Sequence, residues 1–135
     1  MTDYKRIYIA YMRQEGIKFE DVREHVIKVT YKGDHLSSIP IYVYFDEDGA
    51  PTVTVKCWSI TNVSTRTDVG VQTCNALNEK ISWVKFYIDK DHDVIAELDA
   101  YVHEQNCGFV CDTLVKTMVN LVDTAYPRLV EALWG

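Results

Sequence analysis

Residues 74–101 read CNALNEKISWVKFYIDKDHDVIAELDAY, and this stretch decides the fold. It predicts the end of an amphipathic helix, a strand from Trp83 to Asp89, a tight acidic turn and a second strand that begins at Val94. Apolar and polar side chains alternate on both sides of the turn, which is typical of an antiparallel hairpin. The rest of the chain adds strands before this hairpin and a long helix after it.

The same alternation marks two earlier strands. One covers Ile39 to Phe45, the other covers residues 52–58, and the turn Asp46-Glu47-Asp48-Gly49 joins them. An Asp-Gly turn between alternating segments is a strong hairpin signal. Upstream, in residues 19–31, the apolar side chains change parity, so we expect a single strand with a bulge or irregular start near Arg23–His25. These three strands are predicted to form an antiparallel meander.

Two helices are predicted from apolar residues spaced by three and four positions. The first covers residues 4–12, and we expect Thr2 to cap its start and Gly16 to end it. The second is expected to begin at Thr65, which would form a capping box with Asp68.

The second helix contains Gly70, which lowers helix propensity and indicates a close approach to the sheet. A last helix is predicted from Asn106 or Gly108 onward, with an apolar stripe wider than one contact surface needs. Pro127 is expected to kink or restart it, because proline lacks the N–H that a helix interior requires. The element order α-β-β-β-α-β-β-α predicts one α+β domain over residues 1–135. It would have a mainly antiparallel sheet of about five strands with helices packed on it.

Composition narrows the classes of partner. The 135 residues include 20 acidic and 14 basic side chains, which give a net charge of −6. Binding to duplex nucleic acid or to an anionic membrane surface usually depends on clustered Lys and Arg, so we expect neither as a partner. No apolar run approaches the roughly 18 residues that span a bilayer, and the N-terminus lacks the features of a secretory signal. The sequence therefore predicts a cytoplasmic protein.

Two groups of side chains imitate metal sites. Asp89, Asp91 and Asp93 have the spacing of the first ligands of a calcium loop, but the later glycine and glutamate of such a loop are missing. His103, Cys107 and Cys111 are four residues apart, yet no fourth zinc ligand shares their helix face. All four cysteines (Cys57, Cys74, Cys107, Cys111) lie in apolar patterns, which favours buried, reduced thiols. We expect no catalytic set, no metal and no cofactor.

Aromatic side chains on the strand face opposite the aliphatic core are the candidate binding residues. This set consists of Tyr42, Tyr44, Trp58, Trp83 and Tyr87. Large exposed apolar patches mark interaction sites, and Trp and Tyr dominate binding hot spots. Such a face is expected to be covered by the protein's own helices, by a second subunit or by a bound segment.

The segments Cys74–Asn78, Trp83–Asp89 and Val94–Asp99 resemble the YbjN family, whose members are described as bacterial sensory transduction regulators. The shared features are a helix that ends in an Asn-x-x-Asn-like pattern, a lysine-aromatic strand, an acidic turn and a strand that closes in Asp. The turn Asp91-His92-Asp93 lacks the glycine that is usual in that family.

This resemblance implies a fold similar to type III secretion chaperones, which bind extended protein segments, are often dimeric and are not enzymes. The expected function is a non-enzymatic protein-interaction or regulatory module, chaperone-like and homodimeric. The alternative is a small-molecule sensor that holds its ligand between the C-terminal helix and the aromatic sheet face.

Overall fold

The hairpin within residues 74–101 lies at one end of a six-stranded antiparallel sheet with the strand order β1-β2-β3-β4-β6-β5. The computed structural model describes residues 2–135. Along the chain the elements are α1 (Tyr4–Glu15), β1 (Glu20–Arg23), β2 (Val26–Tyr31), β3 (Ile39–Phe45), β4 (Thr52–Cys57), α2 (Thr67–Lys80), β5 (Lys85–Ile88), β6 (Val94–Tyr101) and α3 (Cys107–Trp134). The α+β class and the meander β2-β3-β4 are therefore confirmed.

The region predicted as one irregular strand is instead a hairpin of two strands. Strand β1 ends at Arg23, the chain turns at Glu24 and His25, and β2 returns antiparallel to it. A change of parity has two explanations, a bulge within a strand or a reversal between strands, and here it is a reversal. The pairing also shifts register between Asp21 and Arg23. This hairpin supplies the sixth strand.

Strand β5 begins two residues later than predicted, because Trp83 leaves the extended conformation. Its φ of 78° lies in the left-handed region, and its side chain is 90% exposed in the loop after α2. In the following turn, the Asp89 carboxylate accepts hydrogen bonds from the backbone N–H groups of Asp91 at 2.9 Å and Asp93 at 3.0 Å. His92 takes a φ of 66° there, so the turn forms without glycine.

The predicted caps of the first two helices were partly wrong. Asp3, not Thr2, caps α1, since its carboxylate accepts a hydrogen bond from the Arg6 N–H at 3.1 Å. Gly16 ends α1 in the left-handed conformation, as predicted, with a φ of 70°. The capping box at Thr65 is wrong, because α2 begins at Thr67 and its N-cap residue makes no side-chain capping bond.

The last helix continues through Pro127 to Trp134, so the predicted restart is wrong. Ala125, Leu129 and Leu133, on both sides of the proline, are at most 1% exposed. Burial of these side chains holds the segment in the helix despite the lost backbone donor.

The core lies between the helices and one face of the sheet. Strand residues such as Ile41, Val43 and Val55 are 0% exposed there, and side chains of all three helices belong to the same cluster. The close approach predicted for Gly70 is confirmed, because a Cβ at this position would lie 2.7 Å from the Ile88 Cδ1 atom. Within residues 2–135, no helix packs on the opposite face of the sheet.

Candidate functional site

The face of the sheet opposite the helices, here called the open face, is formed by every second residue of the strands. On β3 and β4 its residues are half-buried, in contrast to the fully buried side chains of the core face. The strand registers align one row across all six strands, and this row consists of Glu20, Lys28, Tyr42, Lys56, Glu97 and Lys85. The tyrosine thus lies between two lysines, and each of these lysines has a glutamate on its other side.

The structure places four of the five predicted aromatic residues on the open face. Tyr42 and Tyr44 stack with ring centroids 6.4 Å apart. Trp58 directly follows β4, and its indole N–H donates a hydrogen bond to the Tyr44 hydroxyl at 2.7 Å. Tyr87 lies further across the sheet on β5, opposite Ile95. Trp83 does not join this set, because it lies in the loop before β5.

Glu97 connects the two sides of this aromatic set. Its carboxylate accepts hydrogen bonds from the Tyr87 hydroxyl at 2.8 Å and lies 3.1 Å from the Lys56 ammonium and 3.0 Å from that of Lys85. The carboxylate side chain is only 12% exposed. Partial burial alone would raise the pKa of Glu97, but hydrogen bonds from Lys85, Tyr87 and Lys56 outweigh it and lower the pKa. Glu97 is therefore a fixed anion at neutral pH.

The pKa of the Tyr87 phenol is shifted upward, in contrast to that of Glu97. Burial and the hydrogen bond to Glu97 raise the pKa of Tyr87 to about 12. The hydrogen bond to Glu97 also raises the pKa of Lys85. Each group thus keeps its neutral-pH protonation state, which makes the cluster a stable polar network rather than a proton-transfer site.

Cations lie over the rings of the open face. The Lys56 ammonium is 4.5 Å from the Trp58 ring centroid and 5.8 Å from that of Tyr44. Similar distances of 5.7–6.0 Å join Arg23 to Tyr44, Lys28 to Tyr42 and Lys85 to Tyr87. Cations within about 6 Å of a ring centroid are attracted by the ring's quadrupole. These contacts favour particular orientations of the aromatic side chains.

The sequence did not reveal Lys56, Lys85 and Glu97 as part of this face. Asp99, on the same face of β6, accepts a hydrogen bond from the Thr54 hydroxyl at 2.5 Å. The alternation of the strands could have placed both lysines on this face. Lys85 has the same strand parity as Tyr87, and Lys56 has the same parity as Trp58. The pairing of β4 with β6, which brings Lys56 to Glu97, joins segments separated by α2 and was not predicted from local pattern.

Side chains form hydrogen bonds with backbone groups near both edges of the sheet. At the β5 edge, Asn78 donates to the Phe86 carbonyl at 3.0 Å and accepts from the Phe86 N–H at 2.6 Å. Near the β1 edge, the Lys5 ammonium donates to the carbonyls of Arg23 at 2.9 Å and Glu24 at 3.0 Å. Backbone groups that are hydrogen-bonded in this way are not available for pairing with another strand.

The geometry contradicts a ligand site between the C-terminal helix and the aromatic face. Helix α3 packs against β3 and β4 on the core side, whereas the aromatic residues project from the other side of the same strands. A cavity of about 570 Å³ lies elsewhere, between α1, the β1–β2 hairpin and the β3–β4 turn, and charged residues such as Lys5, Asp21 and Asp46 line it.

The groups that imitated metal sites have structural partners. The Asp93 carboxylate accepts hydrogen bonds from Ser59 at 3.1 Å and Asn62 at 2.9 Å. Cys107 and Cys111 are 0% exposed with sulfur atoms 4.0 Å apart, while His103 is exposed. In the described part of the chain, no three His, Cys, Asp or Glu side chains are grouped as a metal would require.

Comparison of the structure with known proteins shows the fold. The chain is similar to one in the heterodimeric complex ExoU–SpcU from the type III secretion system of Pseudomonas aeruginosa. The TM-score is 0.51 at 13% identity, and the match covers 93% of this chain and 96% of that one. It also matches a chain in the structure of the Yersinia pestis type III secretion chaperone SycH bound to a fragment of YscM2. There the TM-score is 0.46 at 11% identity, with 88% and 99% of the two chains covered.

The sequence comparisons found no family model and no curated protein that matches this chain. The class is therefore an α+β domain with the fold seen in the type III secretion complex, as the sequence predicted. The resemblance to the YbjN family stays a prediction. None of the helices in residues 2–135 is both long and apolar enough to cross a membrane.

Proposed function

We propose that this protein is a non-enzymatic, chaperone-like binding module that holds an extended segment of another protein on its open face. One observation carries the proposal. Tyr42, Tyr44, Trp58 and Tyr87 share a sheet face that no helix covers within residues 2–135. This face was expected to be covered by the protein's own helices, by a second subunit or by a bound segment. The helices pack on the other face of the sheet, so the last two alternatives are left.

The chemistry of the open face supports binding of a polypeptide. Tyr and Trp provide contact area with an apolar body and a polar tip, so they suit a surface that is wet when free and dry when bound. The Trp58 indole is already hydrogen-bonded to Tyr44, the Tyr87 hydroxyl is hydrogen-bonded to Glu97, and cations lie over the rings of this face. Residues fixed before binding lose less conformational entropy on association.

The fold comparison supports the same proposal. The solved chain with the same fold comes from a heterodimeric complex, in which it is assembled with a different protein. A sheet with helices on one face only can leave its other face for such a partner. The chemical groups of the open face that the structure describes include no nucleophile paired with a base and an orienting group.

Finer features of the function are part of the proposal. They are a regulatory role of the YbjN-like type, a cytoplasmic location and homodimerisation. Sedimentation equilibrium over a wide concentration range tests the last of these, because a homodimer gives twice the mass of the 15.6 kDa chain. A mass that stays at the monomer value at all concentrations would remove homodimerisation and leave binding of another protein in place.

The binding proposal is tested by site-specific photocrosslinking in cells. The photoreactive residue p-benzoylphenylalanine replaces Tyr42 in one variant and Tyr87 in another. We expect both variants to form adducts with the same protein, since the two positions lie on one face. A third variant carries the probe at Gln72, which is exposed on α2 and serves as the matched control from the helix side.

The comparison among the three positions decides the outcome. Adducts at positions 42 and 87 that are weak or missing at position 72 support the proposal. If neither open-face position gives an adduct, or if position 72 gives the same adduct at equal yield, the open face is not the binding surface.

A further inference from the structure

The open face differs in charge from the rest of the chain. The strand registers place four cations on it (Arg23, Lys28, Lys56, Lys85) and three carboxylates (Glu20, Glu97, Asp99). The net charge of these seven side chains is +1 (four minus three), whereas the whole chain has −6, so this face is less acidic than the rest of the chain. Exposed cations attract carboxylates of a partner, so the exposure and the existing contacts of each group decide which charge the face favours.

Two of the three carboxylates are directed to neighbours within the face. Glu97 receives hydrogen bonds or ion pairs from Tyr87, Lys56 and Lys85, and its side chain is 12% exposed. Asp99 receives a hydrogen bond from Thr54. Glu97, which has three donors around it, has little remaining capacity to attract a cation from a partner, whereas Asp99 has one donor and is exposed.

The cations retain donors for a partner. An ammonium has three N–H donors and a guanidinium has five. The Lys85 side chain is 61% exposed and contacts one carboxylate, and the Lys28 ammonium is at the outer limit of an ion pair, 4.0 Å from Glu20. Arg23 lies over the Tyr44 ring at 6.0 Å and has no ion pair within residues 2–135. The available hydrogen-bonding capacity of the face is therefore mostly cationic.

We infer that the segment bound on the open face is acidic, with both carboxylates and apolar side chains at the alternate positions that face the sheet. Alternation follows from an extended backbone, which directs every second side chain to the same surface. The carboxylates would meet Lys28, Lys85 and Arg23, and the apolar side chains would meet the rings of Tyr42 and Tyr87. This inference rests on the proposed function, since it names the chemistry of the segment that the open face holds.

Selection from a library of random displayed peptides tests the inference. The full-length protein is the target, and binding of the enriched peptides is then measured on a double variant, Lys28→Glu with Lys85→Glu. The matched control, Lys18→Glu with Lys90→Glu, changes the net charge equally in two exposed loops. We expect net acidic peptides whose affinity falls about ten-fold or more in the open-face variant and less than about two-fold in the control. Added salt should weaken binding as well.

The outcomes separate this inference from the proposed function. Neutral or basic peptides that still depend on the open face would overturn the acidic segment and leave the binding function standing. Acidic peptides that bind both double variants equally would overturn the inference, because they would respond to charge away from the open face. Enrichment of no peptide would overturn it too, and the crosslinking at positions 42 and 87 then decides the proposed function by itself.

Discussion

The two faces of the sheet carry the same period-two pattern but are covered in different ways. On the core face, Ile41 and Val43 are 0% exposed beneath the helices. On the open face, the adjacent Tyr42 and Tyr44 are half-buried by neighbouring side chains of the sheet itself. The core face is dry and largely aliphatic, whereas the open face is a network of rings, cations and carboxylates.

This difference shows that burial has two sources in one sheet. Helices remove aliphatic side chains from water completely, and each such side chain contributes roughly 1.5–3 kcal/mol. Paired polar and aromatic side chains cover one another only in part, and cross-strand pairs contribute roughly 0.2–1 kcal/mol each. Stability should therefore depend mainly on the core face.

The largest predicted effect compares neighbours on β3. Ile41→Ala should lower the free energy of unfolding by about 2–5 kcal/mol, because it leaves a cavity under the helices. Tyr42→Ala should lower it by about 1 kcal/mol or less, because it removes only cross-strand contacts. Urea denaturation of both variants measures the difference. Equal losses would mean that the two faces do not differ in their contribution to stability.

The next prediction concerns Glu97, the carboxylate that contacts Tyr87, Lys56 and Lys85 on the open face. Glu97→Gln should lower the free energy of unfolding by about 1–3 kcal/mol, because three donors lose a charged acceptor. The pKa of Tyr87, raised to about 12, should move towards its ordinary value but stay above it, since burial is the first cause of the shift. NMR of carbon-labelled tyrosine follows this titration, with Tyr87→Phe used to assign the signal.

The sign of the pH effect follows from the raised pKa of Tyr87. The folded protein favours the neutral phenol, so this contribution to stability is complete below about pH 10. It is lost as the pH rises from that value towards 12. A Tyr87 pKa that is the same in the wild type and in Glu97→Gln would show that the hydrogen bond does not hold the phenol.

Much of the fold could be predicted because local pattern specifies it. The Asp-Gly turn and clean alternation located β3 and β4, and Gly16 ended α1 as expected. The parity change before β2 was ambiguous, since a bulge and a two-residue turn shift the pattern in the same way. Trp83 was placed in a strand because parity does not report a positive φ.

The candidate site was predicted only in part because long-range contacts build it. Four aromatic residues were found from parity, but the pairing of Glu97 with Lys56 needs the register between β4 and β6. Asp123 of α3 is a second residue whose contacts could not be predicted from local pattern. It is 8% exposed and accepts hydrogen bonds from the N–H groups of residues 34–36, a contact across nearly 90 positions of sequence.

A smaller effect is predicted at the edge where the two faces meet. Asn78→Ala should lower the free energy of unfolding by about 1 kcal/mol, because the Phe86 backbone loses both side-chain hydrogen bonds. It should also promote concentration-dependent self-association, since an edge strand is uncovered. Asn75→Ala, one turn earlier on an exposed position of α2, is the control for helix propensity. Sedimentation velocity and urea denaturation check the pair, and identical behaviour of the two variants would contradict edge protection.

The smallest effect is expected at the two lysines that contact Glu97. Both ammonium groups lie within 3.1 Å of its carboxylate, but the Lys85 side chain is 61% exposed and that of Lys56 is 22% exposed. Lys85→Gln should lower the free energy of unfolding by less than about 0.5 kcal/mol, because water screens an exposed ion pair. Lys56→Gln should lower it by about 1 kcal/mol, because this ammonium is shielded and also lies over Trp58.

A double-mutant cycle with Glu97→Gln isolates each pair from other effects of the substitutions. A coupling energy for Lys85 as large as that for Lys56 would mean that the exposed end of the open face is as fixed as its centre. Weak coupling at Lys85 would instead leave its ammonium free for a carboxylate of a bound segment. Lys85 would then be the residue of this cluster whose loss weakens binding more than stability.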